Sequence, residues 1–140
     1  MSSPLLHYRK ELFHYGELRP YSLVYLATPY TKYPTGTEEA FKVACLCASL
    51  LIKHGVKVYS PIAIHGGMDH NLWLDFDHAM MVTAETLLVA RLPEWTHSVG
   101  VAKAIEYFDG ANKPIFYYQP DQFFDYDRTT GRDATAVRAR

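Results

Sequence analysis

A chain of 140 residues that is 49% apolar and 21% charged has the length of one domain and an ordinary globular balance, which argues against disorder and collagen-like repeats. Fourteen basic against fifteen acidic side chains leave a net charge of -1, too even for the basic stripe that grips nucleic-acid polymers, although small nucleotides stay open as ligands. No apolar run approaches the roughly 20 residues of a membrane-spanning helix, and Met1 to Pro20 carries no hydrophobic signal region, so a cytoplasmic protein is expected.

In chain order, residues 1–21 mix Leu5, Leu6, Tyr8, Leu12, Phe13 and Tyr15 with charges, which suggests an arm packing on the domain or on a neighbouring subunit. Ser22 to Thr28 is a continuous apolar and β-branched run closed by Pro29, the pattern of a strand covered on both faces. Thr37 then caps a predicted helix with Glu38 and Glu39 at the positive end of its dipole. Its apolar residues recur at three-to-four spacing as far as Gly55. Cys45 and Cys47 diverge on this helix, so they read as small buried residues and not as a disulfide or a zinc site.

Val56 to Ser60 predicts a second strand, Ala63 to Asn71 a loop, and Leu72 to Ala84 a helix. Thr86 to Leu92 predicts a third strand, Ser98 to Asp109 a helix and Lys113 to Tyr118 a fourth strand, while 125–140 has the composition of a mobile tail. Strands alternating with helices argue for a parallel sheet of four to five strands sandwiched between helices, in one domain over 22–124. Ligands of such sheets bind at the carboxyl ends of the strands, which directs attention to the residues after Thr28, Ser60 and Leu92.

Three features stand out there. Ser98 and Gly100 have the parts of a phosphate site at a helix N-terminus, and equally those of a plain N-cap followed by a tolerated glycine. Asp75, Asp77 and His78, with Asp69 and His70 upstream, could ligate a metal, handle a proton or sugar hydroxyl, or form a solvated face. Asp75 and Asp77 differ by about 200° around a helix, which disfavours a shared ion. Along the helix from Ser98, Val101, Ala104, Ile105 and Phe108 make the apolar face and Lys103, Glu106 and Asp109 point away from it. Read alone, Ala104 means packing.

Tyr25-Leu-Ala-x-Pro-Tyr30, Ser60-Pro-Ile, Asp77 eight residues before Glu85, and Leu92-Pro-x-Trp95-x-x-Ser98-x-Gly100 occur in one order over Leu23 to Tyr118. Together they resemble the nucleoside 2-deoxyribosyltransferase-like superfamily, most of all its nucleoside 5'-monophosphate N-glycosidases of the cytidylate or deoxynucleotide hydrolase type and small bacterial and phage relatives of unassigned role. The resemblance implies a flavodoxin-like (Rossmann-like) α/β fold, a homo-oligomer, no cofactor or metal, and cleavage of a base from its sugar through a glycosyl-enzyme. It implies that Asp77 serves the leaving base or the sugar and that Tyr25 orients the nucleophile. Ser98 and Gly100 would cradle phosphate with help from Ala27, Thr28, Pro29 and Lys32, and Tyr30, Ile64, His65 and Trp95 would flank the base.

The nucleophilic glutamate of that pattern stands four residues after the glycine, where this chain has Ala104. A methyl group cannot attack carbon, and Glu106 is turned about 200° away. Either the chain binds a nucleotide without cleaving it, or residue 104 is a glutamate-to-alanine variant, which the retention of Tyr25, Asp77, Ser98 and Gly100 favours. The expected activity is therefore hydrolysis of the N-glycosidic bond of a nucleoside 5'-monophosphate, suppressed at residue 104. A nucleotide sensor, a deoxyribosyltransferase and a metal-dependent hydrolase are the alternatives.

Overall fold

Apolar runs that continue without alternation mark strands with both faces covered, and two such runs form the middle of the sheet. A computed structural model describes residues 9–65 and 70–121, with the side chains of His65, His70, Asn71 and Leu72 outside that description. In chain order the elements are β1 (Arg9–Glu11), a 3-10 turn (Tyr15–Leu18), β2 (Val24–Ala27), α1 (Thr37–Lys53), β3 (Val58–Tyr59), α2 (Pro61–His65) and α3 (His70–Thr83). There follow β4 (Thr86–Ala90), a 3-10 turn (Trp95–His97), α4 (Val99–Gly110) and β5 (Ile115–Tyr118). The five strands pair in the order β1-β5-β4-β2-β3, every pair parallel. This is the α/β, flavodoxin-like sandwich expected from the alternation of strands and helices.

Every residue of β2 and β4 is buried, because the alternating side chains of each strand enter two different cores. Val24, Leu26, Leu88, Ala90, Phe116 and Tyr118 meet Cys47 and Leu51 of α1 and Leu12, Tyr15 and Leu18 of the N-terminal segment. Tyr25, Ala27, Leu87, Val89 and Ile115 meet Val101, Ala104 and Phe108 of α4, with Met80 and Met81 of α3 packed against them. The period-two alternation of a strand thus puts α1 on one face and α3 with α4 on the other. Lys113 ties the second face together: its ammonium donates to the carbonyls of Met81, Val82 and Ala84 at 3.0, 2.9 and 2.7 Å, where the exposed carbonyls at the end of α3 attract a cation.

The N-terminal segment requires a correction. Residues 9–18 are not an arm apart from the domain but its fifth strand and a core-filling turn. The strand is hard to see in sequence because Arg9, Lys10 and Glu11 are all exposed; charge on an edge strand discourages pairing with another chain. The loop expected over Ala63 to Asn71 is also shorter, since Pro61–His65 is helical and α3 begins at His70. Ser60 Oγ accepts from the Ala63 N–H at 3.3 Å and Pro61 takes the first helical position, where its missing N–H costs nothing. Gly36, at φ 106°, precedes α1 in a conformation an L side chain adopts with strain, so the helix cap falls there and not on Thr37. The tail over 125–140, and Phe123 and Phe124 before it, lie outside the described residues.

From β2 the chain crosses by α1 to β3 at one edge and returns by α3 to β4 on the other side of β2. The strand order therefore reverses between β2 and β4, and the carboxyl ends of these two strands diverge into a crevice. No helix among the described residues is long and apolar enough to cross a membrane.

Candidate nucleotide-binding cleft

The crevice between β2 and β4 is a cleft of about 320 Å³, inside the usual range for a small-molecule site. Ala27, Thr28, Tyr30 and Thr31 line it from the end of β2, and Pro61 and Ile62 from α2. Trp73, Leu74 and Asp77 of α3 form the facing wall. Ser98, Val99, Gly100, Val101 and Lys103 close it along the first turn of α4. Of the residues expected from sequence, six converge here: Ala27, Thr28, Tyr30, Asp77, Ser98 and Gly100.

Several polar hydrogens of the cleft are uncommitted among the described residues. Ser98 caps α4, its Oγ accepting from the Val101 N–H at 3.2 Å. The hydroxyl proton of Ser98 remains available to a ligand, since a hydroxyl can accept and donate at once. The Ala102 N–H bonds to Ser98 O, whereas the Val99 and Gly100 N–H groups, at the first two positions, have no carbonyl one turn back to reach. Thr28 is 5% exposed, and its buried Oγ1 has no hydrogen-bond partner among the described residues. Such a group is costly unless something else satisfies it. A Cβ built on Gly100 would meet only Ser98 Oγ, at 4.0 Å, so no neighbouring side chain requires a glycine there.

The cleft also carries a carboxylate with phenols beside it. Tyr59 donates its hydroxyl to Asp77 Oδ1 at 2.8 Å. Tyr25 packs behind, its ring 5.6 Å from that of Tyr59 and 5.8 Å from that of Phe108. Burial, and then the adjoining Asp77, raise both phenols well above the ordinary tyrosine range, so they stay protonated donors at neutral pH. Tyr59 was legible only as the last apolar residue of a strand, and its polar role appears only when α3 is packed against β3.

The remaining expected residues lie elsewhere. Ala104 is on the sheet side of α4, as its helical position implies, but it is 3% exposed and packed with Tyr25, Ala27, Tyr59, Val101 and Phe108, and does not line the cleft. Val101, one turn earlier, takes the wall. Trp95 does not flank the cleft either: it packs on Tyr117 at 5.9 Å and lines a shallower groove of about 620 Å³ with Tyr33, Arg91 and His97. Trp73, which reads from sequence as core, stands in the cleft instead. Pro29 is buried, Lys32 is exposed, and neither lines the cleft.

Ile64 lies in a third depression, beside Cys45 and Tyr59, and the side chain of His65 lies outside the described residues. Glu106 is exposed and does not line the cleft, in keeping with its angular offset from Ala104. Glu85 accepts from the Ser22 N–H at 2.6 Å and so anchors the entry to β2. His78 packs edge-on against Tyr107 at 5.7 Å, and among the described residues no three His, Cys, Asp or Glu side chains gather as a metal site needs; Asp69 lies outside them.

A family model described as a domain of unknown function, DUF1937, matches residues 22–120. The chain belongs to the DUF1937 family. The matched span begins after β1 and the first 3-10 turn, and it contains β2 to β5 and every residue lining the cleft. The DUF1937 domain thus carries the whole site, and the strand added at the β5 edge by residues 9–11 lies outside the family span. No curated protein matches the chain.

Proposed function

We propose that the cleft binds a nucleoside 5'-monophosphate, on a scaffold for hydrolysing the N-glycosidic bond of such a ligand, with that chemistry suppressed by Ala104. The observation that carries this reading is that one cleft gathers uncommitted hydrogen-bond donors and a single carboxylate among its described lining residues. Two bare helix N–H groups, the Ser98 hydroxyl proton and the partnerless Thr28 hydroxyl suit a phosphate. Asp77, held by Tyr59, suits a sugar hydroxyl or the proton of a leaving base. Trp73, Leu74 and Ile62 between them offer the apolar wall on which a base stacks.

A glycine in a helix costs about 0.5–1 kcal/mol relative to alanine. Nothing in the chain fills the space beside Gly100, which leaves room for a ligand to approach its N–H. Asp77 is the only carboxylate among the described residues of the cleft wall. Both two-carboxylate routes to glycoside hydrolysis need a second one, which favours binding without turnover in the chain as it stands.

The test has two parts. Nucleoside 5'-monophosphates should raise the Tm of the chain and unphosphorylated nucleosides should do so much less; if no common ribo- or deoxyribonucleotide shifts Tm, the reading is wrong. In Ala104→Glu the longer side chain has to extend from the core into the cleft to bring its carboxylate to the anomeric carbon; as it attacks, the bond to the base breaks and the base takes a proton from water relayed by Asp77. Water then opens the glycosyl ester to release the sugar phosphate. Free base read by chromatography should rise more than 100-fold over the parent chain and fall back in Ala104→Glu/Asp77→Asn. Base release absent from every nucleotide would leave a binding module with no latent hydrolase. A homo-oligomer belongs to the same proposal, with the N-terminal segment, where Phe13 is 73% exposed, as its apolar contact, checked by sedimentation.

A further inference from the structure

We infer that Lys103 determines the specificity of the cleft for a terminal phosphate, the doubly charged monoester, over an uncharged nucleoside or a singly charged phosphodiester. The inference rests on the nucleotide-binding reading above. Two charged side chains line the cleft among the described residues, Asp77 and Lys103. Asp77 already accepts from Tyr59. Lys103 is exposed and forms no ion pair or hydrogen bond among the described residues, although Glu106 stands three positions further along the same helix.

Helix geometry says where its ammonium goes. Side chains lean toward the helix N-terminus and cover the turn before their own Cα, and Lys103 follows Val99 by four residues and Gly100 by three. Its stem therefore runs back along the turn whose two N–H groups are uncommitted. The helix end does not stand alone as a ligand site, because Thr28 at the end of β2, 95% buried, lines the same cleft and its Oγ1 has no partner among the described residues. Neutral donors stabilise either charge state of a phosphate, but a phosphomonoester carries about -1.5 to -2 at neutral pH, against -1 for a diester. A flexible cation beside fixed neutral donors is what converts that extra charge into preference.

The sequence pattern assigned Lys103 to the face turned away from the core, which is correct, and that face is the one the cleft opens on. Being exposed, Lys103 can be changed without risk to the fold, so Lys103→Met and Lys103→Arg should both match the parent in Tm. Binding is measured by calorimetry with each common nucleoside 5'-monophosphate, its 3',5'-cyclic monophosphate and its nucleoside, at two salt concentrations. Lys103→Met should lose about 10-fold in affinity for the monophosphate, leave the nucleoside unchanged, and show a weaker dependence on salt. Lys103→Arg should recover most of the loss.

A monophosphate Kd unchanged in Lys103→Met, or an equal loss for nucleoside and monophosphate, would overturn the inference while the cleft remained a nucleotide site. If the parent chain binds none of the monophosphates, the nucleotide reading itself fails and takes the role of Lys103 with it.

Discussion

Two depressions flank the segment that joins β4 to α4, and the larger one is the less equipped to hold a ligand. The groove around Trp95 measures about 620 Å³ and the cleft around Gly100 about 320 Å³. In the groove Arg91, Glu94 and His97 are engaged, Arg91 bonding Glu11 and lying over the Tyr117 ring at 5.2 Å and His97 meeting Glu94 at 2.8 Å. The remaining charge, Asp121, is an acid that would repel a phosphate. In the cleft a lysine, a buried hydroxyl and two helix N–H groups have no such partners among the described residues. Capacity to bind follows the polar groups that the fold leaves unsatisfied, because satisfying them adds free energy that a groove of internally paired charges does not offer.

The largest effect that sharpens this contrast is expected from Gly100→Ala. Its methyl group has ordinary room beside Ser98, so the variant should keep or gain stability, by up to about 0.5–1 kcal/mol, while nucleotide affinity falls about 10-fold. A Tm that rises as Kd worsens marks the glycine as serving the ligand; an unchanged Kd would remove the cleft's claim over the groove. Next is Tyr59→Phe, which deprives Asp77 of its 2.8 Å donor and should cost about 1 kcal/mol in denaturant melts, with a few-fold loss in affinity.

The alkaline limb of stability comes third. Tyr25 and Tyr59 have folded values raised above the unfolded 10 by burial and by Asp77, so their contribution is fully present below pH 10 and is lost as pH climbs through the raised values. Stability should therefore fall above pH 10, and phenolate absorbance from these two residues should appear only with unfolding; their titration near pH 10 in the folded chain would contradict the packing described. Smallest is Arg91→Ala, a partly exposed pair, with a stability change within about 1 kcal/mol and no change in nucleotide Kd. A loss of nucleotide affinity there would move the site to the groove.

Particular residues show how far the sequence could be read. Ser22 to Thr28 announced a buried strand because a parallel sheet covered on both faces leaves no polar alternation, and β2 occupies its middle. Ser98 announced α4 because capping is local, between a side chain and an N–H three residues on. Ser60-Pro61 carries the same kind of local cap, but it reads as the end of a strand because Gly66-Gly67 makes the stretch after it look like loop. Arg9 to Glu11 sent no signal of a strand, since what makes it one is the edge of β5, more than 100 residues away in sequence. Trp95 and Trp73 were exchanged for a related reason: each is a large aromatic beside the strand ends, and which of them faces the cleft depends on how the 3-10 turn and α3 are oriented over the sheet.

Alternating strands and helices, the Ser98 cap of α4, and the position of Thr28, Ser98 and Gly100 beyond the carboxyl ends of β2 and β4 were determined by the sequence itself, because hydrophobic period and capping act over a few residues. Tertiary structure alone decided that Tyr59 would meet Asp77, that Val101 and not Ala104 would line the cleft, and that the Thr28 hydroxyl would have no partner among the described residues. Those outcomes depend on which groups from distant segments come within about 3 Å of each other, and no local pattern records that distance.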